Sequence, residues 1–186
     1  MPAMHGKLDT RSLYSVPFGN ARVFSGRTPA RLVSTILHIL IDRSGSTSPF
    51  IGRVAIAAYA VLGAVSGIRG VNVGMSAFPV WNQSGQPGVT TLFRHGQTTP
   101  CLQTWGSEGN TPLAEAIWHV LPALMRQHGW RRILLIFTDG EPDSISKTKA
   151  ALRDAASLGV EVCGISCQCE SIARLMDKGR AAGFIV

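Results

Sequence analysis

The sequence has no apolar run long enough to cross a bilayer. Its longest, Val54 to Ile68, covers 15 residues rich in Ala and Gly, where about 20 are needed, and a buried helix is the expectation. Met1 to Ser15 hold no apolar stretch followed by a small-residue cleavage site, which argues against a secretory signal. Cytoplasmic residence with free cysteines follows as the expectation. No glycine-rich loop ending in Lys occurs, so an intrinsic ATPase is not expected. Ser44 and Ser46 have no neighbouring His and lie in no nucleophile elbow, so no catalytic triad is read here. Cysteine is sparse: Cys101, Cys163, Cys167 and Cys169 do not supply the paired clusters that zinc uses. Cys163 is expected to be buried and inert within a strand, with Cys167 and Cys169 leaving that strand near its carboxyl end. Acidic residues are also few, 11 against 18 Lys and Arg, for a net charge of +7 and a pI of about 9.8. The bases are scattered, with no aromatic-interleaved stripe. Nucleic acid is therefore not the expected partner, while an acidic one remains open.

What is present describes one globular α/β domain. The chain has 186 residues, 45% hydrophobic and 16% charged, enough for a sizeable core. Residues 1–20 lack periodicity and are read as an N-terminal arm, leaving 21–186 as the domain. Arg22-Val23-Phe24 reads as a short edge strand. Strands are expected at 31–42, 71–78 with Pro79 as a stop, 89–94, 131–139, 160–166 and 182–186. Helices are expected from Ser48-Pro49 to Ser66, from Pro112 to His128 with a kink or break at Pro122, from Ser144 or Ser146 to Ser157, and over 170–178. Residues 81–88 read as a turn, and the strands at 71–78 and 89–94 are expected to form a hairpin. Alternating strands and helices imply a mainly parallel sheet covered on both faces, whose ligands bind beyond the carboxyl ends of the strands.

One stretch stands out. The apolar run Ile36–Ile41 ends in Asp42, and Ser44 and Ser46 follow at alternate positions. Alternate residues of an extended loop share a side, so a carboxylate and two hydroxyls can converge. That donor set suits a hard divalent cation such as Mg²⁺, which takes a few oxygen ligands and keeps the rest of its shell for a partner to displace. Two later stretches look like the remainder of the site. Gly109-Asn110-Thr111-Pro112 puts a hydroxyl before a helix start, and a second apolar strand runs into Thr138-Asp139-Gly140. His38, inside the first strand, is read as a packed, hydrogen-bonded core residue. Glu141 and Asp143 are open to two readings, support for the site or its partner, and a solvated turn. Glu115 is read as favouring its helix N-terminus. The start of the helix after Asp42 is expected to face the site and help capture an anion. Trp81 and Trp105 are read as tucked onto the core, with capping of the site or binding of a partner as the other reading.

The order Asp-x-Ser-x-Ser, Thr, Thr-Asp-Gly resembles the metal-ion-dependent adhesion site (MIDAS) of von Willebrand factor A-type (VWA) domains. The resemblance covers about residues 22–186. It implies a Rossmann-like α/β fold, with one antiparallel edge strand in a mostly parallel sheet. It also implies direct coordination of Mg²⁺ or Mn²⁺ by Ser44, Ser46 and Thr111, with Asp42 and Asp139 acting directly or through water. Gly109-Asn110-Thr111-Pro112-Leu113-Ala114-Glu115-Ala116-Ile117-Trp118, and the run from Ile133 to Asp143, look like bacterial intracellular members, above all the VWA domains of cobalt-chelatase subunits, which work beside AAA+ ATPases. Three features depart from those relatives: no long acidic region precedes the domain, Thr47 stands where Met is usual, and the chain stops at Val186 where a final helix is usual. The resulting expectation is a non-catalytic module that binds a partner protein's acidic side chain, as adaptor or inhibitor. The alternatives are a subunit of an ATPase-coupled chelatase or remodelling complex, and a metal-dependent hydrolase with Glu141 or Asp143 as base.

Overall fold

The computed structural model describes residues 2–3, 7–8, 10–18, 24–25, 34–81, 85–97, 106–107, 109–139, 141–167, 175 and 181–184. The chain divides into two compact units, Met1–Leu32 and Val33–Val186. In the first, β1 (Pro2–Ala3) and β2 (Lys7–Leu8) both pair antiparallel with β3 (Phe24–Ser25), and Thr10–Phe18 forms a 3₁₀ helix. The edge strand expected around Phe24 is therefore the middle strand of this ribbon. Arg22 and Val23 lie outside the described residues.

The second unit is built on apolar strands with buried faces on both sides. In chain order it contains β4 (Thr35–Asp42), α1 (Ile51–Ser66), β5 (Val71–Trp81), β6 (Pro87–Phe93) and α2 (Leu113–Met125). β7 (Arg131–Thr138), α3 (Ile145–Ser157), β8 (Val160–Cys167) and β9 (Ala181–Phe184) follow. The sheet order is β6-β5-β4-β7-β8-β9. All neighbours are parallel except the β5–β6 hairpin, so β6 is an antiparallel edge. The period of two along β4 divides the core. Leu37, Ile39 and Ile41 pack with Val54, Ala58 and Leu62 of α1. Ile36 and Leu40 pack on the opposite face with Ile117, Val120 and Leu124 of α2 and Ala151 and Ala155 of α3. His38 shares the parity of Ile36 and Leu40, and so does Asp42 at the strand's end. Among the described residues no helix is long and apolar enough to cross a membrane.

Several boundaries differ from expectation. The helix after Asp42 begins at Ile51, not at Ser48-Pro49. Gly45–Thr47 first make a 3₁₀ turn, and the N–H of Phe50 then donates to the Thr47 carbonyl at 2.8 Å. β5 runs through Pro79 to Trp81, with a cis Phe78–Pro79 bond. The register with β6 shifts between Ala77 and Val80, so Pro79 falls in an irregularity where no ladder donor is needed. α2 continues past Pro122, which is exposed, and stops at Met125 rather than His128. Its apolar stripe against the sheet outweighs the lost hydrogen bond. The α3 boundaries match: the Ser144 hydroxyl accepts from the Lys147 N–H at 3.3 Å, and left-handed Gly159 follows the last turn. Of the helix expected over 170–178, all but Leu175 lies outside the described residues.

Candidate metal centre

The strand order reverses at β4. From there the chain steps outward to β5 and β6, then crosses back to β7 on the other side. A crevice opens at the carboxyl ends of two parallel strands that lead in opposite directions. Asp42 is the last residue of β4, and Asp139 follows the last residue of β7.

Asp42 is fully buried. Its Oδ1 accepts the Ser44 N–H at 2.8 Å, and its Oδ2 accepts the Thr138 hydroxyl. The first bond bends the chain so that Ser44 turns back toward the strand end. The 3₁₀ turn then brings the Ser46 hydroxyl to 3.0 Å from that of Ser44, while the Thr47 hydroxyl donates to the Ser44 carbonyl at 2.7 Å. The Ser46 hydroxyl donates to Asp139 Oδ1 at 3.1 Å. Asp42, Ser44, Ser46 and Asp139 are thus linked around one rim, although 93 positions separate Ser46 from Asp139.

Thr111 reaches the same junction through its backbone. Its N–H donates to Asp143 Oδ1 at 2.9 Å, and its carbonyl accepts the Asp143 N–H at 3.0 Å. The Gly45 N–H donates to the Gly109 carbonyl at 2.9 Å, tying the Ser44–Ser46 turn to the strand of chain that carries Thr111. Gly109 has φ +67°, and a Cβ there would lie 2.3 Å from Trp81 Nε1. The Trp81 indole therefore packs against the Gly109 backbone, partly exposed beside the Thr111 loop rather than tucked onto the core. Trp105 lies outside the described residues. Asp143, though exposed, takes the supporting role of its two readings through its bonds to Thr111; Glu141 is exposed as well. Glu115 pairs with Lys147 at 3.1 Å on the surface, a pair worth little to stability. Part of the backbone at the helix start expected to capture an anion is engaged within the chain. The N–H groups of Gly45, Thr47, Ser48, Phe50, Arg53 and Val54 are already bonded within the chain.

Burial pushes the Asp42 carboxyl up to about 6; the Thr138 and Ser44 hydrogen bonds oppose this and Asp139 adds to it. Burial also raises Asp139, against its hydrogen bond from Ser46. Among the described residues the ion pairs are Arg131–Glu161 and Lys147–Glu115, so neither acid has a basic partner. The Arg43 guanidinium instead donates to the Gly106 carbonyl at 2.7 Å. Two acids raised by burial, with hydroxyl oxygens between them and no base, are the electrostatic setting a hard cation relieves. The donor set is all oxygen, which fits Mg²⁺ or Mn²⁺ rather than a thiophilic metal. A competing site built on His, Cys, Asp or Glu clusters is absent among the described residues. Cys163 is a free thiol, half-buried rather than fully buried, and the side chains of Cys101, Cys167 and Cys169 lie outside the described structure.

Two predictions follow from this geometry. An unfolded Asp titrates near 3.9, so between about pH 4 and 6 the folded chain keeps a proton that the unfolded chain has lost. Metal-free stability should therefore fall across that window and level off above it, by roughly 3 kcal/mol. Asp42→Asn should remove this dependence: in urea denaturation with EDTA, the variant's advantage grows from pH 4 to 7. A difference that stays flat with pH would contradict the account. Asp143→Ala should leave the fold intact and weaken Mn²⁺ binding by about tenfold or more, because Thr111 loses its backbone clamp. Calorimetric titration of Mn²⁺ into both proteins checks this, and equal affinities would show the clamp to be idle.

No family model matches the chain, and no curated protein sequence matches it. Solved structures do. The manganese-loaded TRAP protein of Plasmodium vivax superposes with a TM-score of 0.63 at 16% identity, over 81% of this chain and 68% of that one. The SpRpn10 VWA domain gives 0.62 at 10% identity, over 81% and 87%. Proximal thread matrix protein 1 from the mussel byssus, with a zinc-occupied MIDAS motif, gives 0.59 at 12% identity, over 82% of this chain and 41% of that one. This chain thus spans less than half the length of the mussel protein. At such identities the likeness establishes architecture alone, and together with the strand order it shows that the chain carries the von Willebrand factor A-type fold.

Proposed function

We propose that this chain is a divalent-cation-dependent protein-binding module. Asp42, Ser44, Ser46, Thr111 and Asp139 would hold Mg²⁺ or Mn²⁺ at the carboxyl ends of β4 and β7. The bound ion supplies an electrophilic centre whose remaining coordination takes an Asp or Glu side chain of a partner protein. The observation that carries this reading is the hydrogen-bonded rim Asp42–Ser44–Ser46–Asp139, two raised acids bridged by hydroxyls with no base paired to either among the described residues. Manganese in the TRAP structure and zinc in the MIDAS motif of the mussel protein lend support on the same fold. Three of the five ligands are neutral hydroxyls, and where Asp42 and Asp139 act through water a doubly charged ion keeps its appetite for a carboxylate.

The chain's own residues do the positioning. Thr138 and the Ser44 N–H hold Asp42, Asp143 holds Thr111, and Gly45–Gly109 joins the two loops. The module would act in the cytoplasm as an adaptor or inhibitor rather than as an enzyme. The sequence resemblance at 109–118 and 133–143 favours a second reading, a subunit working beside an AAA+ ATPase in a chelatase or remodelling complex. Co-purification with such an ATPase separates the two.

Immobilised chain incubated with host lysate in Mg²⁺ should retain a partner that EDTA elutes and that Asp42→Ala, folded by circular dichroism, does not retain. Neutralising the partner's acidic contact residue should then weaken binding by about tenfold or more. Equal retention with EDTA and by Asp42→Ala would eliminate the proposed ion-mediated capture.

A further inference from the structure

A second polar site lies away from the strand ends, on the face of the sheet that α2 covers. A cavity of about 350 Å³ is lined by His38, Ser76, Phe93, Arg94, His95 and His119, with Arg126 and Gln127 completing its wall. That volume accommodates a small molecule. Every titratable group of the described lining is basic: His38 from β4, Arg94 and His95 from the turn after β6, His119 from α2 and Arg126 from just past its end. Among the described residues no carboxylate lines it. Glu115, one turn before His119, belongs to a smaller neighbouring recess and pairs with Lys147. Arg94 and Arg126 are exposed, and neither enters a salt bridge among the described residues.

The floor of the cavity is built. His38, only 3% exposed, contacts Ser76 Oγ through Nε2 at 3.0 Å and His95 Nε2 through Nδ1 at 3.1 Å. The two rings are tilted by 40° with centroids 5.3 Å apart. The His95 ring fills space that exists because residue 74 is Gly: a Cβ there would lie 2.6 Å from His95 Nε2. The Asn72 backbone favours the charged form of His95, yet no hydrogen bond of good geometry closes on its buried Nδ1. Asn72 itself donates to Gln127 Oε1 at 3.3 Å, which leaves the Gln127 NH₂ as a donor. A Ser–His–His relay behind two guanidiniums with no acidic partner among the described residues is a set of donors that suits an anion.

We infer that this cavity is a binding site for a small phosphorylated molecule, its phosphate held by Arg94, Arg126 and His95 and its organic body resting on Val120 and Ala123 of α2. Arginine suits phosphate because its planar fork donates two parallel, charge-assisted hydrogen bonds. Binding is linked to protons. Burial and the neighbouring His95 and His119 hold His38 down at about 3, and burial also lowers His95, so at neutral pH the pair is uncharged. A bound anion favours the charged form, and the relay takes up a proton. Affinity therefore rises as pH falls.

The test uses the full chain in EDTA, so that the candidate metal centre takes no part, and reads the histidine ring resonances by NMR. Inorganic sulfate, whose charge is constant between pH 6 and 8, probes the proton linkage; phenyl phosphate probes the organic body. Sulfate should shift the His38 and His95 signals saturably, with affinity about fivefold or more higher at pH 6 than at pH 7.5. Phenyl phosphate should bind more tightly than inorganic phosphate at pH 7.5. The double variant Arg94→Ala/Arg126→Ala, altered only at exposed positions, should weaken both probes by about tenfold or more. Shifts that sodium chloride reproduces at matched ionic strength, affinity independent of pH, or full affinity in the double variant would each overturn the inference.

Discussion

The buried carboxylate of Asp42 is the constraint on which the rest of the site depends. It sits at the end of a strand enclosed on both sides by other strands, where burial penalises its charge. Two hydrogen bonds, from the Ser44 N–H and the Thr138 hydroxyl, hold it in place. The first bends the chain into the turn that presents Ser44 and Ser46. The second couples β4 to β7 beyond their last ladder pair, Ile41 with Phe137. One side chain therefore sets both the shape of the first loop and its position relative to Asp139. An acid kept at this depth costs stability unless something offsets its charge, and a divalent ion at the rim would do so.

The loops around Asp42 are joined to one another. Gly45 bonds to Gly109, Asp143 bonds to Thr111, and Trp81 lies against Gly109. Segments that leave β4, β5 and β7, together with the segment that enters α2, thus meet at one junction. A disturbance in any of them reaches the oxygen cluster through a single hydrogen bond or a single packed ring. This arrangement places binding groups on loops while a two-sided apolar core fixes where the loops begin.

Much of the architecture was legible in the sequence, because uninterrupted apolar runs bounded by Gly, Pro and acids mark strands buried on both faces. The rim was legible for the same reason: Asp42 and Asp139 each close such a run, and Ser44 and Ser46 follow at a spacing a turn can gather. What was not legible depends on tertiary contacts. Ser48-Pro49 has the chemistry of a helix start, but the 3₁₀ turn that positions Ser46 uses those residues and delays α1 to Ile51. Pro79 and Pro122 read as stops; a register shift accommodates one, and apolar packing outweighs the other. Asp143 looks like any acid in a Glu-Pro turn until Thr111 is beside it. The relay from Ser76 through His38 to His95 joins residues up to 57 positions apart, and nothing local announces it beyond a polar residue inside an apolar strand.

The central claim is that five oxygen-bearing side chains, from three distant parts of the sequence, act together on one ion. Electron paramagnetic resonance of a Mn²⁺ titration measures this directly, because free and bound ion are distinguished in the same spectrum. One Mn²⁺ should bind per chain, and Thr111→Val and Asp139→Asn should each weaken it by about tenfold or more. Stoichiometric binding that survives both substitutions unchanged, or no binding to the unaltered chain, would contradict the account.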